Sequence, residues 1–310
     1  MSRVNVTILG GSGMLGSMVA DVLSRDPDLK VSATVRSGML ADHFAQSLPE
    51  VDWRVFEAAS AERYAILGAI KGAHWIINAI GITKPYAHDD NPVEVENAIR
   101  LNSLFPYELA ACALTSGAKV LQIATDCVYS GHRGSYSETD VHDPLDVYGK
   151  TKSLGEVLYP GTNCLRCSII GPEPKSYVFL IEWFRRQPHG AVLNGFINHQ
   201  WNGVTTLHFA RLCIGAIKSG IPLSRLQHVI PSGSLSKHDL LRTFVAHFQR
   251  PDIRISPTEA KTVVDRTLST KYEDVNRNLW VQAGYGEPPT IPAMIAELAN
   301  FDYRFGTAIP

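Results

Sequence analysis

The chain has 310 residues, 45% of them hydrophobic and 19% charged, with 29 Lys and Arg against 30 Asp and Glu for a formal charge of −1. That composition argues against disorder, collagen-like repeats and coiled coil, and the length is enough for one large α/β unit or two closely associated lobes. No broad field is available to hold nucleic acid or an anionic membrane, so any anion must be bound locally.

The first half alternates short apolar runs with amphipathic segments, the pattern of repeated βα units and a parallel sheet. Val4 to Leu9 reads as a buried strand, and Met14 to Ser24 as a helix with apolar residues at 15, 18, 19, 22 and 23 on one face. Further strands are expected at Val31 to Val35, Trp53 to Phe56, His74 to Ile80, Val120 to Ala124 and Asn163 to Ile169. Helices are expected from Leu104 to Ser116 and over residues 144 to 159, the latter capped by Asp143 with Pro144 in its first turn.

Beyond Gly171-Pro172-Glu173-Pro174 the rhythm changes. A helical pattern holding Phe179, Trp183 and Phe184, with Trp183 expected in the core, leads into a loop-rich stretch up to Gly203, as in an inserted lobe. A helix at Thr205 to Lys218, a short strand at Leu226 to Ile230, a capped helix at Ser236 to Gln249 and a last helix at Ala293 to Leu298 complete the reading. Five cysteines, at 112, 127, 164, 167 and 213, form a sparse odd set that fits reduced thiols, and Cys164 and Cys167 fall in a strand-like run rather than a zinc or redox motif. Met1-Ser2-Arg3-Val4 runs into a strand pattern without an apolar signal region, and no stretch approaches the ~20 apolar residues of a membrane span. A cytoplasmic location is expected, with no membrane or nucleic-acid partner and no metal.

Gly10-Gly11-Ser12-Gly13-Met14-Leu15-Gly16 joins the first strand to the first helix. Glycines at 10, 13 and 16 let the backbone turn sharply and approach a pyrophosphate, met by the amides of Met14 and Leu15 and the positive end of the helix. The second strand then ends in Val35-Arg36-Ser37, where an acidic residue would bind a ribose diol. A guanidinium clasps a phosphate with two hydrogen bonds and a serine hydroxyl adds another, so NADP(H) is favoured, with NAD(H) left open.

Tyr148 and Lys152 stand at i, i+4 on an expected helix, so the ammonium is placed to lower the phenol from its reference of about 10 and make it a usable proton donor. Thr125 closes the fifth strand, at the carboxyl edge where ligands of parallel sheets collect, and its hydroxyl can bind a reacting carbonyl oxygen.

Thr125-Asp126-Cys127-Val128-Tyr129-Ser130-Gly131, Tyr136-Ser137-Glu138-Thr139-Asp140 and the run from Pro144 to Glu156 resemble the extended short-chain dehydrogenase/reductases, and within them the dTDP-4-dehydrorhamnose reductase branch. Weaker similarity extends through Asn78-Ala79 and Asn102 to Leu165-Arg166 and Gly171. The resemblance implies a Rossmann-type doubly wound α/β sheet with a smaller C-terminal substrate-binding lobe. Residues 1–171 would bind NADP, with 203–231 returning to that domain, and 172–202 with 232–310 would form the lobe. It implies Thr125, Tyr148 and Lys152 as the catalytic set, and Gly10, Gly13, Met14, Leu15, Gly16, Arg36, Ser37, Asn78, Ala79, Tyr148 and Lys152 as cofactor contacts. A nucleotide-sugar substrate, a homodimer and a place in dTDP-rhamnose and polysaccharide biosynthesis follow by the same resemblance.

Cys127 stands where that branch often has an aromatic residue, and the lobe from 172 to 202 matches loosely, so the sugar and base stay open. Thr83, Asp126, Cys127 and Trp201 are candidates for the substrate pocket, and Asn102 for a supporting place. Lys175, Arg185, Arg186, His199 and Arg211 are available for a diphosphate. An epimerase or dehydratase, or a non-catalytic NADP-binding subunit, are the alternatives.

Overall fold

The computed structural model describes residues 3–305; Met1, Ser2 and residues 306–310, the ends of the expected N-terminal run and of the expected 232–310 lobe, lie outside the described residues. Six strands, β1 (Val4–Leu9), β2 (Leu29–Val35), β3 (Asp52–Val55), β4 (Trp75–Asn78), β5 (Lys119–Thr125) and β6 (Thr162–Cys167), join the short strand Leu226–His228 in one sheet. Its spatial order is 226–228, β6, β5, β4, β1, β2, β3, with every pair parallel. Helices cover both faces, which is why strands such as β1 are buried along nearly their whole length.

The helices are α1 (Met14–Ser24), α2 (Gly38–Ser47), α3 (Arg63–Ala69), α4 (Pro92–Ala98), α5 (Phe105–Ser116), α6 (Val147–Leu154), α7 (Leu180–Arg185), α8 (Thr206–Ser219), α9 (Lys237–His247), α10 (Glu273–Gln282) and α11 (Ile291–Asn300). Residues of α1 and α8 share one apolar cluster with the sheet, and residues of α3 and α5 share another. Strand order reverses between β1 and β4, so a crevice opens past their carboxyl ends, the Rossmann-type arrangement in which open α/β sheets receive ligands. Among the described residues no helix is long and apolar enough to cross a membrane.

Several elements depart from the sequence reading. The helix expected over 144–159 begins at Val147, because Asp146, not Asp143, caps it by accepting from the Gly149 amide at 2.9 Å. Asp143 instead accepts from the Ser130 amide and hydroxyl. The helix stops at Leu154, and the Gly155 that follows lies against the Asn102 carbonyl, where a Cβ would stand 1.7 Å away. Trp183 is 40% exposed, and its neighbour Phe184 takes the buried position. The stretch up to Gly203 contains strands: Val192–Phe196 pairs with Arg254–Thr258, and His199–Trp201 lies between Leu235–Ser236 and Val264–Asp265. At the far end the chain leaves the lobe, since Tyr303 hydrogen-bonds Ser17 at 2.6 Å and Arg304 binds the Asp21 carboxylate of α1 at 2.7 Å.

Arg166, on β6 and wholly shielded from solvent, holds these parts together. Its guanidinium donates to both Glu156 oxygens (2.9 and 2.5 Å), to the Tyr129 hydroxyl (2.5 Å) and toward His228 Nε2 and His142 Nε2 (2.8 Å each). His228 meets the Ser269 carbonyl through Nδ1 at 2.6 Å, which carries the network into the C-terminal lobe.

Removing one member of a buried ion pair strands its partner at a cost of about 3–5 kcal/mol. Arg166→Leu should therefore lower the melting temperature by roughly 10 °C in calorimetry. Burial holds the His142 and His228 imidazoles below the ordinary histidine range, with the Arg166 charge acting in the same direction against Glu156 and Glu138 respectively. Because their folded pKa values are depressed, the stability these neutral rings contribute is present above about pH 6.5 and lost as pH falls below it. Urea unfolding at pH 7.5 and pH 5 should show a clear loss at the lower pH, reduced in His228→Gln.

Candidate active site

The glycine turn has the geometry its spacing requires. Gly10 has φ +85°, and Thr34 on β2 takes the Gly10 and Gly11 amides at 3.1 and 2.7 Å. A Cβ on Gly16 would lie 2.1 Å from the Gly10 carbonyl, so α1 rests directly on the turn only because that side chain is missing. Met14 and Leu15 open α1, whose first amides have no intrahelical partner and whose first turn holds no acidic residue. Gly13 precedes it, bonding its amide back to the Gly10 carbonyl at 3.1 Å. These amides form a cradle suited to a pyrophosphate.

Arg36 follows β2 and is exposed, so its fork is free to meet a phosphate. Ser37 caps α2, accepting from the Leu40 amide at 3.3 Å; its hydroxyl proton remains available. Asn78 is buried; its amide nitrogen donates to Gln122 Oε1 at 2.7 Å and its oxygen accepts from Ile80 N at 3.1 Å, which shapes the turn after β4. The Ala79–Ile80 backbone lies against Gly10, where a Cβ would meet it at 3.2 Å.

Thr125 ends β5; its hydroxyl accepts from the Cys127 amide and donates to Asp126 Oδ1, both at 3.2 Å. Gly149 brings α6 onto the same turn, since a Cβ there would stand 2.3 Å from the Cys127 carbonyl. Tyr148 thereby faces Thr125 and Cys127.

The phenol is pushed above its ordinary value, not lowered: burial is the largest cause, with Cys127, Asp126 and Asp146 adding and Thr125 opposing. Lys152 is buried and its amine donates to the Ile123 carbonyl at 3.0 Å. Burial lowers the Lys152 ammonium against the pull of Glu156. The expected depression of Tyr148 by Lys152 thus gives way to desolvation, and Tyr148 keeps its proton at neutral pH.

Asn102 lies in a π-helical turn between α4 and α5 and ties the 80–83 loop to α6. It accepts from the Ile82 amide at 2.8 Å and donates to the Ile82 carbonyl and Thr151 Oγ1 at 3.0 and 3.1 Å. Thr83 follows in that loop, half-buried, and Lys84 pairs with the capping Asp146 at 2.6 Å.

On the lobe side the structure supplies two cations that the sequence reading missed, Lys237 at the start of α9 and Arg266. Burial raises the Asp126 carboxyl against both of them, and burial pushes the Cys127 thiol up to about 12. Arg266 Nε donates to the Tyr129 carbonyl at 2.8 Å. Nothing local marks either residue, because only tertiary folding brings them to positions 126 and 127.

Trp201 is 4% exposed and donates to Ser168 Oγ at 2.8 Å. It stands behind Lys237, whose amine is 5.6 Å from the ring centroid, so it supports the pocket from the core and presents no open face for stacking.

The cations proposed for a diphosphate are placed elsewhere. Arg185 pairs with Glu182, Arg186 stacks on Tyr177, His199 meets the Thr262 carbonyl, and Arg211 binds Glu297 and Tyr285. Lys175 reaches the glycine turn, donating to Ser12 Oγ at 3.2 Å. Among the described residues no group of three His, Cys, Asp or Glu is placed to hold a metal ion.

A doubly wound sheet whose switch-point crevice opens past a glycine turn, with Thr125 at the end of β5 on its other side, defines the Rossmann-type class of α/β folds. The profile described as "RmlD substrate binding domain" matches residues 4–300, and the chain belongs to that family. It is 34% identical over 185 residues to a dTDP-4-dehydrorhamnose reductase of Aggregatibacter actinomycetemcomitans, a match covering 59% of this chain and 52% of that protein. Thus the match spans about half the length of that relative.

Its fold is similar to the crystal structure of a dTDP-4-dehydrorhamnose reductase from Bacillus anthracis in complex with NADP: TM-score 0.69, 18% identity, 96% of this chain and 98% of the other. It is also similar to a UDP-glucuronic acid 4-epimerase from Bacillus cereus in complex with NAD: TM-score 0.72, 14% identity, 97% and 99%.

The Asn102 clamp yields a direct test. Asn102→Ala leaves the Ile82 amide and carbonyl unpaired and should cost about 1–3 kcal/mol in urea unfolding.

Proposed function

We propose that this chain is an NADPH-dependent reductase of a nucleotide-linked 4-keto-6-deoxy sugar, like the dTDP-4-dehydrorhamnose reductases in its family. What supports the reading is the placement of Tyr148 against Thr125 at the carboxyl edge of the sheet, with Lys152 anchored two residues earlier on β5 through the Ile123 carbonyl. The residues present fit a 2′-phosphorylated dinucleotide: the Gly16–Gly10 approach leaves an amide-lined bend, and β2 ends in an exposed arginine with no acid in its place. The family relatives supply the substrate class, and the neighbour bound to NADP supports the coenzyme.

When bound, the reduced nicotinamide supplies a hydride to the keto carbon. Tyr148, held protonated by its surroundings, donates the phenolic proton to the keto oxygen. Thr125 orients that oxygen with its hydroxyl. Lys152, anchored on Ile123, presents its remaining N–H donors toward the nicotinamide ribose. Asp126, Lys237 and Arg266 bound the sugar side of the crevice, and the loop through Thr83 closes it.

Catalysis by an epimerase would return the hydride, and a dehydratase would add a carboxylate pair, whereas Cys127 follows Asp126 here. Stoichiometry separates the readings. Incubation with dTDP-, UDP- or GDP-linked 4-keto sugars should consume one NADPH per sugar reduced; turnover without net oxidation would favour the epimerase, and none at all the non-catalytic subunit. Tyr148→Phe should lower turnover by about 10²–10⁴-fold while NADPH binding, followed by fluorescence, is kept.

A further inference from the structure

Lys175 belongs to the loop that follows Gly171, yet its amine donates to Ser12 Oγ in the glycine turn at 3.2 Å. The loop is held in an unusual path: Ser176 and Tyr177 both have positive φ, 69° and 54°, and the Tyr177 amide bonds back to the Lys175 carbonyl at 2.9 Å. Glu173 fixes its far end by accepting from the Phe179 amide at 2.6 Å, and Arg186 lies 3.6 Å from the Tyr177 ring centroid. Backbone in the left-handed region carries strain for non-glycine residues, so two in succession imply that the surroundings hold this path against its local preference.

The result is a half-buried ammonium at the turn that, among the described residues, forms no salt bridge. Burial lowers the Lys175 ammonium from its ordinary value, and the Arg36 guanidinium pushes in the same direction. The Lys175 ammonium, from the segment after Gly171, thus rests on the serine hydroxyl of the glycine turn, and the exposed Arg36 that follows β2 is near enough to act on it. Such an arrangement gains by receiving an anion, since among the described residues neither cation has a carboxylate partner.

We propose that Lys175 binds the 2′-phosphate of the coenzyme together with Arg36, so that preference for the phosphorylated dinucleotide is set jointly by the second strand's end and by a loop of the opposite lobe. This rests on the coenzyme reading above and adds a residue to it. Ser12 completes the site by orienting the Lys175 amine. Since the loop continues into α7, phosphate binding also ties the lobe to the glycine turn.

The test is direct binding, independent of turnover: isothermal titration of the full chain with NADP+, NAD+, 2′,5′-ADP and 5′-AMP. Lys175→Gln should weaken NADP+ and 2′,5′-ADP by about 10- to 100-fold while changing NAD+ and 5′-AMP less than about 2-fold. Arg36→Gln should act in the same sense, and the conservative Lys175→Arg should retain most of the discrimination. Equal weakening of all four ligands would place Lys175 on the pyrophosphate, and no change in any would leave it a structural contact to Ser12; either result overturns the proposal. If the unaltered chain binds neither dinucleotide, the coenzyme reading itself fails, which the same titrations distinguish. Far-ultraviolet circular dichroism of each variant checks that the loop change has not unfolded the chain.

Discussion

A charge sealed away from water dictates how the two halves of this molecule meet. The Arg166 guanidinium must be neutralised and its donors satisfied, and each of its partners belongs to a segment that carries part of the site. Glu156 lies just past the end of α6, four residues after Lys152. Tyr129 closes the turn that begins at Thr125, His142 precedes α6, and His228 connects the sheet's edge to the lobe. Buried ion pairs contribute little net stability compared with apolar packing, because desolvation offsets attraction. What this one contributes is a single permitted arrangement of α6 against β5 and β6, and therefore of Tyr148 against Thr125.

Close backbone approach does the remaining positioning. Missing side chains at Gly16, Gly149 and Gly155 bring α1 onto its turn, α6 onto the Cys127 carbonyl and the end of α6 onto Asn102. With Asn102 pinning the loop after β4, the crevice is fixed by carbonyls and amides whose separations vary little. The mobile chemistry is left to a phenol, an amine and a hydroxyl. Their environment explains their protonation: desolvation dominates both Tyr148 and Lys152, leaving the first a held acid and the second a weakened base.

What could be read from the sequence was what is local. The β1 strand, the glycine turn and α1 follow from a β-branched run, three spaced glycines and one apolar helical face, and all lie within 24 residues. The Tyr148 and Lys152 pair was visible because helical spacing alone brings them together. Properties set by tertiary contact were not visible. Asp143 and Asp146 are equally good caps by composition, and the choice between them depends on Ser130 having claimed the first. Trp183 and Phe184 are adjacent aromatic residues, and only the packing of α7 decides which is covered. Lys175, Lys237 and Arg266 come to the crevice from loops and a helix start far along the chain, where a lone cation resembles any solvated one. The rise of the Tyr148 phenol escapes the sequence for the same reason: spacing reveals a neighbouring charge but not the depth at which both groups are set.

The contact between Arg304 and α1 ties the seating of the glycine turn to a residue 283 positions away in the chain. Asp21 is shut off from solvent and is met by Arg25 from its own helix and by Arg304, which donates to its carboxylate and carbonyl. A cut between α11 and Arg304 would remove one of the two cations that balance this sealed carboxylate and leave α1, which rests on the glycine turn, with a buried charge only partly paired. The helix that looks most self-sufficient in the sequence thus depends on a distant segment to hold it in place.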